Sequence, residues 1–169
     1  MTDERQLPER SRIVQEHLGA AGLTARVREL PDSTRTAAEA AAALGCEVGA
    51  IASSLLFLAD DVPLLVMTSG RHRVDTGVLA AGVGAARVEM ASAKQVRDVT
   101  GQAIGGVSPI GHPAPVRTVV DEALRDYDGL WAAGGTPRTI MPLTFDELVA
   151  LTSGTVIRVA ADQPSPDRR

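Results

Sequence analysis

The sequence predicts a mixed α/β (α+β) fold, a single compact domain in which helices cover a central mixed sheet. Three observations predict it. Helix starts written as capping boxes are interspersed with short apolar runs of strand length, two of those runs are joined by a two-residue turn, and helix and strand signals do not alternate regularly enough for a βαβ array. The length of 169 residues suits one domain, large enough to bury roughly 70% of its unfolded surface around one core. That domain is expected over residues 8–161, with the polar or proline-bearing ends, 1–7 and 162–169, as flexible termini.

A first helix is expected over residues 9–21, with Ile13, His17 and Leu18 at helical spacing and a stop near Gly22. A short strand is expected at 25–29. Thr36 with Glu39 then has the spacing in which a hydroxyl and a carboxylate three residues on satisfy exposed backbone donors at a helix start. Residues 50–59 and 63–68 are apolar runs around Asp60-Asp61, the pattern of a hairpin. A short helix fits 74–81 and a strand 87–90, before a second box at Ser92 and Gln95. Strands are expected at 116–120, 130–133 and 139–142. The third box, Thr144 with Glu147, has Leu143 and Leu148 placed as a hydrophobic staple and Gly154 as a stop. A last strand is expected at 155–160.

Composition narrows the function. Lys+Arg 17 against Asp+Glu 21 gives a net charge of −4, and aromatic residues are only 2%. An acidic chain so poor in aromatics lacks the basic stripe and stacking platform of a strong nucleic-acid binder, so DNA is not an expected partner and any grip on RNA should be local. Lys94 is the sole lysine, so a mechanism that needs an ammonium must use it or do without. No run approaches the roughly 20 apolar residues of a membrane span, and the charged start lacks the apolar segment of a signal peptide. A cytoplasmic protein is expected. The single cysteine, Cys46, excludes a disulfide within the chain and a cysteine zinc cage; the spacing of His17, His72 and His112 shows no metal site. No cofactor is expected.

The least ordinary stretch is residues 100–115, TGQAIGGVSPIGHPAP. Gly105, Gly106 and Gly111 admit backbone conformations closed to other residues, and Pro109 fixes a turn. Such a loop can aim successive N–H groups at one point as an anion cradle or oxyanion hole, or it can be a plain structural turn. It matches neither the phosphate-binding loop nor the dinucleotide fingerprint. Gly134-Gly135 is a bulge or turn, or a second wall of the same pocket. His112 is the histidine placed for acid–base work, whereas His17 suits a core-facing helix edge and His72 a basic turn. Ser108 lacks the Gly-x-Ser-x-Gly setting of a covalent nucleophile. Asp121 suits a helix cap, and Arg71 and Arg73 suit either phosphate contact or a solvated turn.

Taken together, Val88-Glu89-Met90-Ala91, Thr100-Gly101, Gly105-Gly106-Val107-Ser108-Pro109-Ile110-Gly111, Thr118-Val119-Val120-Asp121 and Ala133-Gly134-Gly135 resemble the YbaK/EbsC-like family of aminoacyl-tRNA editing domains. That family is related to the insertion domain of bacterial prolyl-tRNA synthetase, and the likeness runs over about residues 12–160. The resemblance implies a central, partly barrel-like sheet and an aminoacyl-tRNA deacylase that hydrolyses, in trans, the ester joining a wrong amino acid to the tRNA 3′ end. It also implies loop N–H groups around the aminoacyl carbonyl, a water aligned partly by the substrate's own ribose hydroxyl, and no protein nucleophile. Carried over by motif, the catalytic set is Gly106, Ser108, Gly111, Ser53 and Asp121. Pro109, Ile110, His112, Gly134, Gly135, Met67 and Ser54 would bind substrate. The aminoacyl-tRNA 3′ end is the implied partner, with an aminoacyl-tRNA synthetase as a second.

The chain departs from the family pattern at one important place. The family's strand reads I-x-K-[ST]-L-[LV]-[FV], whereas this one is Ile51-Ala52-Ser53-Ser54-Leu55-Leu56-Phe57, with Ser53 at the lysine. A second basic residue after the glycine pair is here Thr136. Losing the ammonium would cost a factor of ten to a thousand in rate, about 1.4–4 kcal/mol, unless Ser53, His112 or Arg138 substitutes. The alternative expectation is therefore a catalytically impaired module that binds an aminoacyl-tRNA 3′ end or a small ligand.

Overall fold

The computed structural model describes residues 6–161; most of the expected flexible termini lies outside them. Within the described residues, Leu7 is buried in the main core. The elements are α1 (Glu9–Ala20), β1 (Arg28–Glu29), α2 (Ala37–Leu44), β2 (Ile51–Ala59), β3 (Val62–Ser69), α3 (Thr76–Val83), β4 (Val88–Met90), α4 (Ala93–Thr100), β5 (Arg117–Asp121), β6 (Leu130–Ala133), β7 (Thr139–Leu143), α5 (Phe145–Thr152) and β8 (Thr155–Ile157). Two 3-10 turns, Val48–Ala50 and Glu122–Asp126, lead into β2 and out of β5.

The strands form one mixed sheet in the order β1-β7-β6-β2-β3-β5-β8, with β4 also on β2. β2 runs parallel to β6, β3 to β5 and β5 to β8, and the other pairs are antiparallel. The mixed α/β class is as expected. The sheet does not close into a barrel, since β1 and β8 end the order.

Local chemistry explains most of the elements. Asp60 (φ 47°) and Asp61 (φ 68°) turn β2 into β3 as a left-handed two-residue loop. The Asp60 carboxylate also accepts from the backbone N–H groups of Ala86 (3.0 Å) and Arg87 (2.9 Å), which brings β4 back beside β2. Ser92 and Thr144 form complete capping boxes. At α2 the Thr36 hydroxyl accepts from Glu39 N–H and donates to its carboxylate, both at 3.1 Å. Leu143 and Leu148, the expected staple, are both buried in the main core. The stop after α5 is Ser153 (φ 51°), not Gly154. Gly154 is needed for a different reason, since a Cβ there would stand 2.8 Å from Val120 Cγ2.

Three further expectations are corrected. The buried face of α1 is Ser11, Val14, Gln15 and Leu18, leaving Ile13 and His17 exposed. Polar groups can take the core face because they are paired there: Ser11 Oγ donates to Thr139 Oγ1 (2.9 Å), and Gln15 bridges Val27 N–H (2.8 Å) and Ala25 C=O (3.2 Å). That bridge diverts 25–27 from strand pairing, so β1 holds only Arg28–Glu29. β8 ends at Ile157, and Val159 C=O instead accepts from Asp75 N–H at 2.8 Å.

Alternation along β2 divides the core. Ala52 and Leu56 face the larger cluster with Val14, Leu18, Met67 and Leu148, while Phe57 faces a smaller one with Leu64, Val66, Leu79 and Val119.

Candidate active site

The position of the site follows from the register of β2. On one side β2 pairs continuously with β3. On the other, β6 reaches only Ile51 and Ala52, and β4 covers only Phe57 to Ala59. Between them Ser53 to Leu56 form an open edge, apart from Leu56 C=O, which accepts from Ala91 N–H at 3.0 Å. Ile51 C=O accepts from Gly70 N–H on the β3 side. By antiparallel alternation the N–H and C=O of Ser54 therefore point into the gap.

A cavity of about 520 Å³ opens there. Every residue from Ile51 to Phe57 lines it, as both faces of a strand can do only at an open edge. Thr34, Arg35 and the start of α2 form one wall; Ile104, Gly105 and Val107 of the glycine loop form another, with Trp131 to Ala133 of β6. Thr68, His72 and Arg73 close the β3 end. The lining is mainly apolar with a few polar groups, the character of a site for a small molecule or chain end.

Of the residues expected from sequence, Ser53 and Ser54 line the cavity. The Ser54 hydroxyl donates to Met67 Sδ at 3.1 Å, and Met67 is fully buried beneath the sheet. The glycine loop divides. Gly105 (φ +87°) and Val107 face the cavity, whereas Gly106 packs on the backbone of Thr136 and Pro137. Ser108 is buried: its N–H donates to Gln102 Oε1 (2.7 Å) and its hydroxyl accepts from Ile110 N–H (3.3 Å). Pro109 and Ile110 are buried, and Gly111 lies where a Cβ would be 3.1 Å from Val14 of α1. Gly134 sits against Val27, and Gly135 against the α1 backbone at Arg10. Gly111 and Gly135 thus meet α1, while Gly134 packs behind Thr139, which lines the cavity.

The candidate substitutes for a lysine are also placed. His112 Nε2 lies 2.8 Å from Ser108 C=O and does not line the cavity. Burial pushes its pKa down, opposed by the bond to that carbonyl and reinforced by His17. Arg138 donates to Pro31 C=O at 2.8 Å from an exposed position. Lys94 is exposed on α4, paired with Asp98 at 2.7 Å.

Asp121 ends β5. Its Oδ1 accepts from Ala123 N–H (2.9 Å), capping the following 3-10 turn; its Oδ2 accepts from Ser69 N–H (2.9 Å) and from the Thr68 hydroxyl (3.3 Å). The same oxygen meets His72 Nε2 at 2.5 Å. The sequence offered no signal for this pair. It arises because β3 and β5 run parallel with Met67 beside Val120, so that both strands end at the same height.

This is an α+β domain with a chain-end-sized cavity at a break in its sheet. The chain belongs to the aminoacyl-tRNA editing domain family, which it matches over residues 31–151. It is 32% identical over 123 residues to the proline–tRNA ligase of Bacillus licheniformis, covering 70% of this chain but only 21% of the ligase. It is 26% identical over 129 residues to the Enterococcus faecalis protein named "Putative Cys-tRNA(Pro)/Cys-tRNA(Cys) deacylase EbsC", covering 76% of this chain and 79% of that one. Among solved structures, one described as "a putative trans-editing enzyme for prolyl tRNA synthetase" superposes with a TM-score of 0.87 at 43% identity, covering 93% of this chain and 100% of the other.

Proposed function

We propose that the protein is an aminoacyl-tRNA deacylase that hydrolyses the ester of mischarged tRNA in trans. The observation that carries this reading is the meeting of Ser53, Ser54 and the glycine loop at one cavity, in a chain of the editing family. In this proposal the aminoacylated 3′ end enters the gap beside β2, between β4 and β6. Loop N–H groups at Gly105 and Val107 stabilise the developing oxyanion, an effect worth about 3–4 kcal/mol per well-placed donor. The N–H groups of Gly106 and Ser108 are engaged by Ala103 C=O and Gln102 Oε1. Gly106, Ser108, Pro109, Ile110 and Gly111 therefore set the loop's course, with His112, Gly134 and Gly135 bracing it. Ser53 and Ser54 contact the substrate, with Met67 holding the Ser54 hydroxyl, and Asp121 acts behind them. The names of the relatives make tRNA(Pro) bearing an amino acid other than proline the first substrate to try, and a prolyl-tRNA synthetase the first partner.

A deacylation time course over a panel of mischarged tRNAs tests the proposal. Release of amino acid by wild type, lost in Gly105→Val, is the expected result. Ser53 in place of an ammonium favours one other outcome: an inert wild type that still binds charged tRNA and gains turnover as Ser53→Lys. That result would make the protein a binding module.

A further inference from the structure

His72 and Asp121 form an acid–imidazole pair at the β3 end of the cavity. His72 is half-buried, with 17% of its side chain exposed, and lines the cavity; Asp121 beneath it is 1% exposed. The Asp121 carboxylate is saturated with donors: two backbone N–H groups, from Ser69 and Ala123, the Thr68 hydroxyl and His72 Nε2. A carboxylate accepts at Nε2 only if that nitrogen carries the proton, so the neutral ring has its lone pair on Nδ1. Asp121 thus fixes the tautomer of the ring and leaves Nδ1 without a hydrogen-bond partner among the described residues, on a side chain that lines the cavity.

The surroundings place this pair next to the candidate substrate residues. Thr68 of β3 lies directly opposite Ser53 of β2, and residues opposite each other on neighbouring strands share a face. Ser53, Thr68 and the Thr68-bound Asp121 therefore occupy one side of the sheet. The turn that presents His72 is anchored at both ends: Gly70 N–H donates to Ile51 C=O at 2.9 Å, and Asp75 N–H to Val159 C=O at 2.8 Å. Such pre-positioning suits a general base, which must be oriented by a third group and lie in a partly desolvated site.

We infer that His72 is the general base of the hydrolysis, and that Asp121 is its positioning residue. The inference rests on the deacylase reading and deepens it. Nδ1 takes a proton from a water molecule as the water oxygen bonds to the ester carbonyl carbon, giving a tetrahedral oxyanion and an imidazolium held by Asp121. The intermediate collapses by breaking the carbon–oxygen bond to the ribose, and the imidazolium returns its proton to that oxygen. One water and one ester become one free amino acid and one ribose hydroxyl, with no other reactant. A base supplied here offsets part of what an ammonium at position 53 would contribute.

The test is single-turnover and steady-state deacylation of mischarged tRNA by wild type, His72→Ala, His72→Gln and Asp121→Asn, each checked for folding by circular dichroism and thermal melting. Expected is a 10²–10⁴-fold loss of kcat in both His72 variants with little change in KM, and partial recovery of His72→Ala on adding imidazole, above a no-enzyme control. Imidazole would not restore Asp121→Asn, because its ring is present but unoriented. Full activity in folded His72→Gln, or a loss that imidazole leaves untouched, would overturn the general-base role while leaving the deacylase reading intact. A wild type inert on every charged tRNA would overturn both.

Discussion

Gly106 lies so close to Thr136 that a Cβ on the glycine would stand 2.6 Å from Thr136 Cα. The two glycine-rich segments, 30 residues apart in sequence, are thus parts of one packed layer, and the obstacle is backbone rather than a movable side chain. Gly106→Ala should cost about 1–3 kcal/mol, as overpacking does, and lower deacylation with it. Gly19, in α1 with nothing within 4 Å of its Cβ position, supplies the opposite control. Gly19→Ala should raise stability by about 0.5–1 kcal/mol, since alanine loses less chain entropy in a helix. Urea unfolding of both variants measures the two signs, and equal stabilities would remove the close-packing account.

Gln102 is almost fully buried, and its side-chain oxygen accepts from Ser108 N–H at 2.7 Å. Thr100 braces the same corner, accepting from Gln102 N–H at 3.1 Å. Gln102→Leu keeps the bulk but leaves a buried amide without its acceptor, at a cost of about 1–3 kcal/mol. The loop would also lose its fixed course past Gly105 and Val107. The expected result is lower stability together with a reduced kcat in deacylation; a variant that melts like wild type would show that the amide finds another partner.

What the sequence revealed was what local chemistry decides. Asp60-Asp61, the boxes at Ser92 and Thr144, and the Leu143–Leu148 staple each act within a few residues, so their patterns are visible in the chain. The core face of α1 was not visible, because Ser11 is satisfied by Thr139, 128 residues away, and a serine at such a position otherwise suggests solvent. The site divides in the same way. Ser53 was found only through the family resemblance, as the residue at the lysine position of an apolar strand, and the glycine loop from its composition. His72 and Asp121 are 49 residues apart and meet only through the parallel pairing of β3 with β5. Nor does any motif show that β4 and β6 stop short of each other along β2.

His112 gives a pH dependence whose sign can be worked out. Burial, its largest influence, lowers its pKa from the ordinary 6.5. In the unfolded chain it takes up a proton first as pH falls, so the unfolded state binds more protons than the folded one in the window below 6.5. Stability therefore rises with pH there, is fully present above the unfolded value, and is lost as pH falls toward the folded one. His112→Gln removes the titration. Urea unfolding at pH 7.5 and pH 5, roughly a unit or more either side of the reference value, should show wild type losing more stability than the variant. An equal loss in both would mean that His112 charges freely in the fold.

Salt dependence separates the arginines around the cavity. Arg71 is engaged: its guanidinium donates to Asp126 at 2.9 Å and lies 5.8 Å from the Tyr127 ring centre. Arg35, beside α2, and Arg73, at the β3 end, both line the cavity and have no ion pair among the described residues. A net charge of −4 provides no general attraction to a phosphate chain, so affinity for a tRNA 3′ end must come from such local cations. Each phosphate neutralised on a single strand contributes about −0.7 to the slope of log K against log salt. Arg73→Ala and Arg35→Ala should each make that slope shallower by about 0.7 with the fold intact. Arg71→Ala should leave the slope near the wild-type value, because freeing Asp126 replaces one neutral pair with an exposed carboxylate rather than removing a phosphate contact. Fluorescence anisotropy of a labelled tRNA acceptor-stem minihelix over a salt series gives all three slopes. If only Arg71→Ala flattens the line, the 3′ end approaches across the Asp126 side of the turn instead of through the gap between β4 and β6.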